Sequence, residues 1–340
     1  MVVQGLHRIE HVAELNNLGV KDFQSDKLEM AEMYFAKAIE LLKALGGLPF
    51  STISPVSSDL PFAINSQIMN RSGPFQREDY DEGMDVFTKA VPITKEDVLY
   101  YEHLLAIILF NLGNCYARQR LERDAYSLFY ESLSMWQRSR LCFEGHHCGI
   151  ILALHNIGRI EYRTGLYSDA VDTYTQALAV CEAYTMEHKQ SALARAATLN
   201  CLSVIIFHLP ECDTEKALSF CRNSLNLYRS IHGPLALTME MATVMNNMGR
   251  IHFLRNEFKQ ALSIYMETLS MRRQIMGNNN MDVAATIFNI AQTSHCLCNY
   301  ERALAFYDEF LTIARAQLGE KHRDIVAAIK VSNFTPTCML

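Results

Sequence analysis

The chain is poor in several things at once. It has one tryptophan and eight prolines in 340 residues, and its most apolar run, from Leu104 to Phe110, is seven residues long. A membrane span needs roughly 18 apolar residues, so no membrane insertion is expected. Basic charge is not in excess: 31 Lys and Arg stand against 37 Asp and Glu, a net charge of −6. That speaks against binding duplex nucleic acid or anionic membranes by bulk charge. The first residues carry no basic stretch followed by an apolar one, and Val2 is not the glycine that myristoylation needs. Thr337 stands where a prenylation cysteine would be. Ten cysteines in a chain of this length do not make a disulfide scaffold. A cytoplasmic location is expected, with the Asn-X-Ser/Thr triplets at Asn70 and Asn333 unglycosylated.

Catalytic signatures are also lacking. There is no glycine loop for phosphates, no Gly-X-Ser-X-Gly elbow and no His-Glu-X-X-His. Cys142, His146, His147 and Cys148 come closest to a metal site, but their spacing does not match paired zinc ligands. Cys296-Leu297-Cys298 reads as small packing residues in a reducing compartment. No enzyme activity, metal or cofactor is expected.

What the chain does have is a hydrophobic content of 49% and a charged content of 20%, which exclude a disordered or collagen-like polymer. It also has a repeat. The phrases Asn17-Leu18-Gly19, Asn111-Leu112-Gly113, Asn156-Ile157-Gly158, Cys201-Leu202-Ser203, Asn247-Met248-Gly249 and Asn289-Ile290-Ala291 recur at steps of 94, 45, 45, 46 and 42 residues. Twelve residues after the small residue comes Ala31, Ala125, Ala170, Ala261 or Ala303; in the fourth copy the alanine slips two places to Ala217, implying a loop lengthened around Pro210 to Asp213. Four residues after the alanine stand Phe35, Phe129, Tyr174, Cys221, Tyr265 and Tyr307. Apolar steps of three and four in both halves of each copy predict a helical hairpin, which must stack on its neighbours to bury its apolar face.

This spacing resembles the tetratricopeptide repeat, and the period of 42 to 46 resembles the longer variant of kinesin light chains. The linkers Gly319-Glu320-Lys321-His322-Arg323-Asp324-Ile325 and Gly277 to Val283 carry the same likeness. The chain departs from the short consensus in lacking its terminal proline and any tryptophan in the first helices, and the heptad segment of kinesin light chains is missing. The expected fold is an all-α, right-handed superhelical solenoid of six helix pairs with a C-terminal capping helix. The repeats are assigned to 8–45, 96–144, 145–190, 191–233, 234–278 and 279–319, with the cap and tail at 320–340. An irregular insertion at 46–95 holds five of the eight prolines. It reads either as a flexible insertion or as a flap across the binding face, and Met84 and Val86 lie in a stretch that could pair as a strand.

With the small residue numbered 8 in each copy, positions 2, 5, 9, 12 and 13 of the first helix point to one side by the 3.6-residue period. Those thirty positions hold Arg118, Arg159, Arg163, Arg250 and three histidines but no Asp or Glu, where the chain average gives about three. The arginines read either as donors to an acidic peptide or as groups paired within the fold. Position 6 carries Asn17, Asn111, Asn156, Asn247 and Asn289. The resemblance implies that these amides hold a peptide backbone; the competing reading is that they cross-link neighbouring helices. Phe23, Tyr162, Phe207 and Phe253 at position 12 read as pockets for an anchor or as core. The function expected is a non-catalytic scaffold or adaptor for a protein or peptide partner, an extended acidic segment lying in the groove. The alternative is a regulatory or sensor subunit whose groove takes a small ligand or is covered by residues 46–95.

Overall fold

Apolar steps of three and four give each repeat two helices, and a small residue in the first against a ring in the second lets them approach. The computed structural model describes residues 2–46, 101–138, 144–183, 189–233 and 236–318. The insertion, its alternating stretch and the capping segment lie outside these residues. Among the described residues there are twelve α-helices, one 3-10 turn and no strand. The helices are α1 (Val2–Gln24), α2 (Leu28–Gly46), α3 (Tyr101–Arg118), α4 (Glu122–Arg138), α5 (Glu144–Thr164), α6 (Tyr167–Ala183), α7 (Lys189–Ile205), α8 (Thr214–His232), α9 (Met239–Leu254), α10 (Phe258–Met276), α11 (Met281–Cys296) and α12 (Tyr300–Leu318).

They pair as six hairpins, each an odd-numbered leading helix with the even-numbered trailing helix after it. The hairpins fall into two compact units, α1–α6 and α7–α12. Within each unit a trailing helix packs on its own leading helix and on the next one. The leading helix of a middle hairpin is therefore covered on both sides. The same packing accounts for Ser191–His208, the one described segment long and apolar enough to cross a membrane, of which 67% is buried within the protein.

The helix crossing inside each hairpin is set by the small residue. A Cβ added at Gly19, Gly158 or Gly249 would come within 2.6 Å of the ring of Phe35, Tyr174 or Tyr265, and one at Gly113 within 2.8 Å of Phe129. The fourth copy reverses the sizes. Ser203 replaces the glycine, and its ring partner becomes Cys221, which hydrogen-bonds Ser203. Volume is traded across the contact, as close packing demands. Buried hydroxyls add to the crossing: Ser132 Oγ donates to the carbonyl of Ala106 at 2.8 Å, and Ser224 Oγ to that of Ala196 at 2.7 Å.

The turn inside the hairpin is equally repetitive. Asp26, Arg120, Gly165, Asn256 and Cys298, each seven residues after position 8, all have φ between 58° and 84°. The next residue's amide then donates back five residues, as in Leu121 to Tyr116 (2.9 Å) and Leu166 to Glu161 (2.8 Å). This is the Schellman closure of a helix by a left-handed residue. In the fourth copy the equivalent residue is Pro210, whose ring fixes φ near −65° and forbids the left-handed conformation. The chain instead passes through the 3-10 turn Ile206–His208 and restarts at Asp213, whose side chain accepts the amide of Lys216. The two extra residues follow from that proline.

Candidate functional site

The asparagines of position 6 form side-chain rungs between successive leading helices within each unit. In the first unit Asn111 Nδ2 donates to Asn16 Oδ1 at 2.9 Å, and Asn156 Nδ2 to Asn114 Oδ1 at 3.1 Å. In the second unit Asn247 Nδ2 donates to Asn200 Oδ1 at 2.9 Å, and Asn289 Nδ2 to Asn246 Oδ1 at 3.3 Å. Asn17 accepts from Asn16 at 3.3 Å and is exposed. Asn111, Asn156 and Asn247 are buried, and Asn289 is half-buried. A rung in a buried seam pairs the donor of one amide with the acceptor of the other and fixes the lateral register of two helices. The acceptors Asn16, Asn114, Asn200 and Asn246 were visible in the sequence at positions 5 and 9, but only position 6 recurs strictly enough to stand out.

The arginines divide by surroundings. Arg118 lies with its guanidinium carbon 4.0 Å from the centre of the Phe23 ring, and its Nη1 donates to the carbonyl of Phe23 at 3.1 Å. The same nitrogen lies 3.5 Å from Asp26. It thus caps the end of α1 from α3. Arg163 Nη2 pairs with Glu122 at 2.9 Å across α5 and α4. Arg159 is buried and Arg250 half-buried. Two of the position-12 rings pack within their own hairpin. Tyr162 packs on Tyr167 with centroids 5.7 Å apart, and Phe253 on Phe258 at 5.4 Å. Phe23 and Tyr162 are buried, whereas Phe207 and Phe253 are half-buried.

Burial shifts several titratable groups in the core in the direction of their neutral forms. Burial pushes the thiols of Cys115 and Cys221 up to about 12 and the imidazole of His155 down to about 3. His155 lies edge-on to Tyr174 with centroids 5.1 Å apart. Glu161, at position 11 of α5, is raised above the usual carboxylate range, chiefly by desolvation. Its Oε1 accepts from Tyr126 at 3.1 Å and its Oε2 from Thr173 at 2.7 Å. Sequence reading passed over it because position 11 holds no recurring residue type. Among the described residues no group of three or more His, Cys, Asp or Glu is placed to hold a metal. Cys142 and the side chain of His146 lie outside them.

The profile described as tetratricopeptide repeat matches residues 104–183, 194–274 and 240–316, together more than half of the chain. The chain belongs to the tetratricopeptide repeat family. No curated protein sequence matches it significantly. Among solved structures it is similar to BtubC (BKLC) from P. vanneervenii, with 18% identity, a TM-score of 0.54, and coverage of 72% of this chain and 92% of that one. It is also similar to the Rap conjugation gene regulator of plasmid pLS20, solved with the Phr* peptide, with 13% identity, a TM-score of 0.54, and coverage of 96% of this chain and 80% of that one. A putative kinesin light chain of Podospora anserina with nearly identical repeats aligns at 13% identity and a TM-score of 0.48, over 66% of this chain and all of that one. The first two of these structures share the fold of this chain.

Proposed function

We propose that this tetratricopeptide repeat protein is a non-catalytic scaffold or adaptor that binds an extended, acidic peptide along its leading helices. The observation that carries the reading is the charge of that face: none of its thirty positions is acidic in a chain with 37 acids, while four are arginines. Arg163 and Arg250 are the half-buried guanidinium groups from which a peptide carboxylate would accept, one in each unit. Arg159 is buried under the face, and Arg118, though exposed, holds the end of α1. In this reading the buried amides of Asn111, Asn156 and Asn247 space the helices. Asn17 and Asn289 are the amides near enough to solvent to meet a peptide backbone, and Tyr162 and Phe253 are the rings that would meet its apolar side chains. Paired arginines such as Arg163 must exchange Glu122 for the guest, so affinity rests on few anchors. A cytoplasmic location belongs to the same proposal, and the net charge of −6 supports the absence of a nucleic-acid partner.

The test is fluorescence anisotropy with labelled glutamate-rich peptides against their glutamine counterparts. Arg163→Gln and Arg250→Gln, made separately, should each weaken the acidic peptide severalfold at unchanged helicity. Equal binding of both peptides, or affinities untouched by both variants, would overturn the proposal.

A regulatory subunit is the second reading, supported by the fold shared with a Rap regulator solved with a peptide. Residues 46–95 would then compete for the same face. Deleting them should raise peptide affinity; an unchanged affinity would count against this reading.

A further inference from the structure

A cleft of about 180 Å³ lies between α4, α5 and α6, on the side of α5 opposite the proposed peptide face. Positions 4, 7 and 11 of α5 (Leu154, Ile157 and Glu161) turn toward it, and Leu133 of α4 completes an apolar wall. The volume exceeds that of several water molecules, which take about 30 Å³ each in the liquid.

At the base stands a single carboxylate. Glu161 is only 5% exposed, yet both groups that donate to it, the hydroxyls of Tyr126 and Thr173, are neutral. The charged groups acting on it, Asp169 and Asp172, are themselves negative. An ionised carboxylate offers about four acceptor sites, and the two hydroxyls use one on each oxygen. One site per oxygen remains, the number a forked guanidinium satisfies. The rim is aromatic as well: Tyr126 and Tyr130 stack with centroids 6.4 Å apart at 15°, and Tyr130 is 59% exposed. Tyrosine faces attract a guanidinium, and the apolar wall suits the methylene stem behind it. A lysine ammonium is a more strongly hydrated point charge and matches the paired acceptor less well.

We propose that this cleft is a binding site for a guanidinium group, the side chain of an arginine presented by a partner protein. It is separate from the peptide face, and its failure would leave the scaffold reading intact. Arginine enters between Tyr130 and the exposed Gln176 of α6, stacks on the tyrosines and pairs with Glu161.

The experiment is calorimetric titration of the full chain with N-acetyl-arginine amide, N-acetyl-lysine amide, the neutral isostere N-acetyl-citrulline amide, and agmatine as the free small-molecule guanidine. Blocked arginine should bind at least tenfold more tightly than citrulline and more tightly than lysine. Glu161→Gln should cost at least tenfold. Gln176→Lys, at an exposed rim position, should do the same by tethering a competing cation beside the carboxylate, and it serves if the core variant fails to fold. Equal binding of arginine and citrulline, or blocked-arginine affinity unchanged in Gln176→Lys, would overturn the site. Agmatine binding tenfold tighter than blocked arginine would overturn the protein-borne source.

Discussion

In the four copies with glycine at position 8 the backbone of one helix rests against the ring of the other, and no room is left for a methyl group. At Gly158, in the first unit, Tyr174 Cε2 lies 2.6 Å from where a Cβ would stand. Gly158→Ala should therefore destabilise the protein by about 1–3 kcal/mol, the usual cost of overpacking a rigid core. Urea unfolding would measure it, and Tyr174→Leu should cost less in the Gly158→Ala background than alone. His155, under the same ring, governs acid sensitivity. Burial holds its folded-state pKa at about 3, below the ordinary 6.5, so the folded state disfavours the imidazolium. The stability it contributes is complete above pH 6.5 and lost as pH falls toward 3. In that window it adds a slope of up to about 1.4 kcal/mol per pH unit. His155→Phe should remove that slope in urea melts taken across the window; an unaltered slope would refute the assignment.

Among the elements, the intra-hairpin turn is the most constrained. Its left-handed residue is glycine in one copy, Asp or Asn in two, and Arg120 or Cys298 in the remaining two that keep the turn. A non-glycine residue there costs roughly 1–2 kcal/mol, eased for Asp and Asn by their local hydrogen bonding. Arg120→Gly should thus stabilise the protein by up to about 1 kcal/mol once the extra freedom of glycine in the unfolded chain is subtracted. Thermal or urea melts that moved the other way would show that the arginine side chain outweighs the backbone. The turn column was legible in the sequence only in part. Gly165, Asn256 and Asp26 are turn residues by type, whereas Arg120 and Cys298 are not, and what they share is visible only as a backbone angle. Pro210 announced a disturbance by its residue type, and the lengthened loop at the fourth copy follows from it.

On the scale of the whole molecule, the helix count, the hairpin pairing and the small-against-ring contact could be read from the repeat, because each depends on neighbours a fixed number of residues apart. The candidate face was readable as a list of positions but not as an environment. That Arg118 is spent on the end of α1 and Arg163 on Glu122 depends on contacts between helices, and so does the turning of Tyr162 and Phe253 toward their own hairpins. The cleft at Glu161 was not legible at all, since it forms between two neighbouring copies around a carboxylate at a position with no recurring residue type. The two compact units have a thermodynamic counterpart. Repeat proteins gain stability from each hairpin and its immediate neighbours. Gly113→Ala in the first unit and Gly249→Ala in the second should therefore be additive within about 0.5 kcal/mol in the double variant. A larger coupling would mean that strain travels along the chain further than one hairpin.

The asparagine rungs have a spectroscopic consequence. Side-chain amide protons on a protein surface exchange with water quickly, but those of Asn111, Asn156 and Asn247 sit in a buried seam. Their resonances should persist after transfer to heavy water, each reporting on the separation of two leading helices. A guest lying on the face above them, or a partner prising the helices apart, would register there without a label being attached.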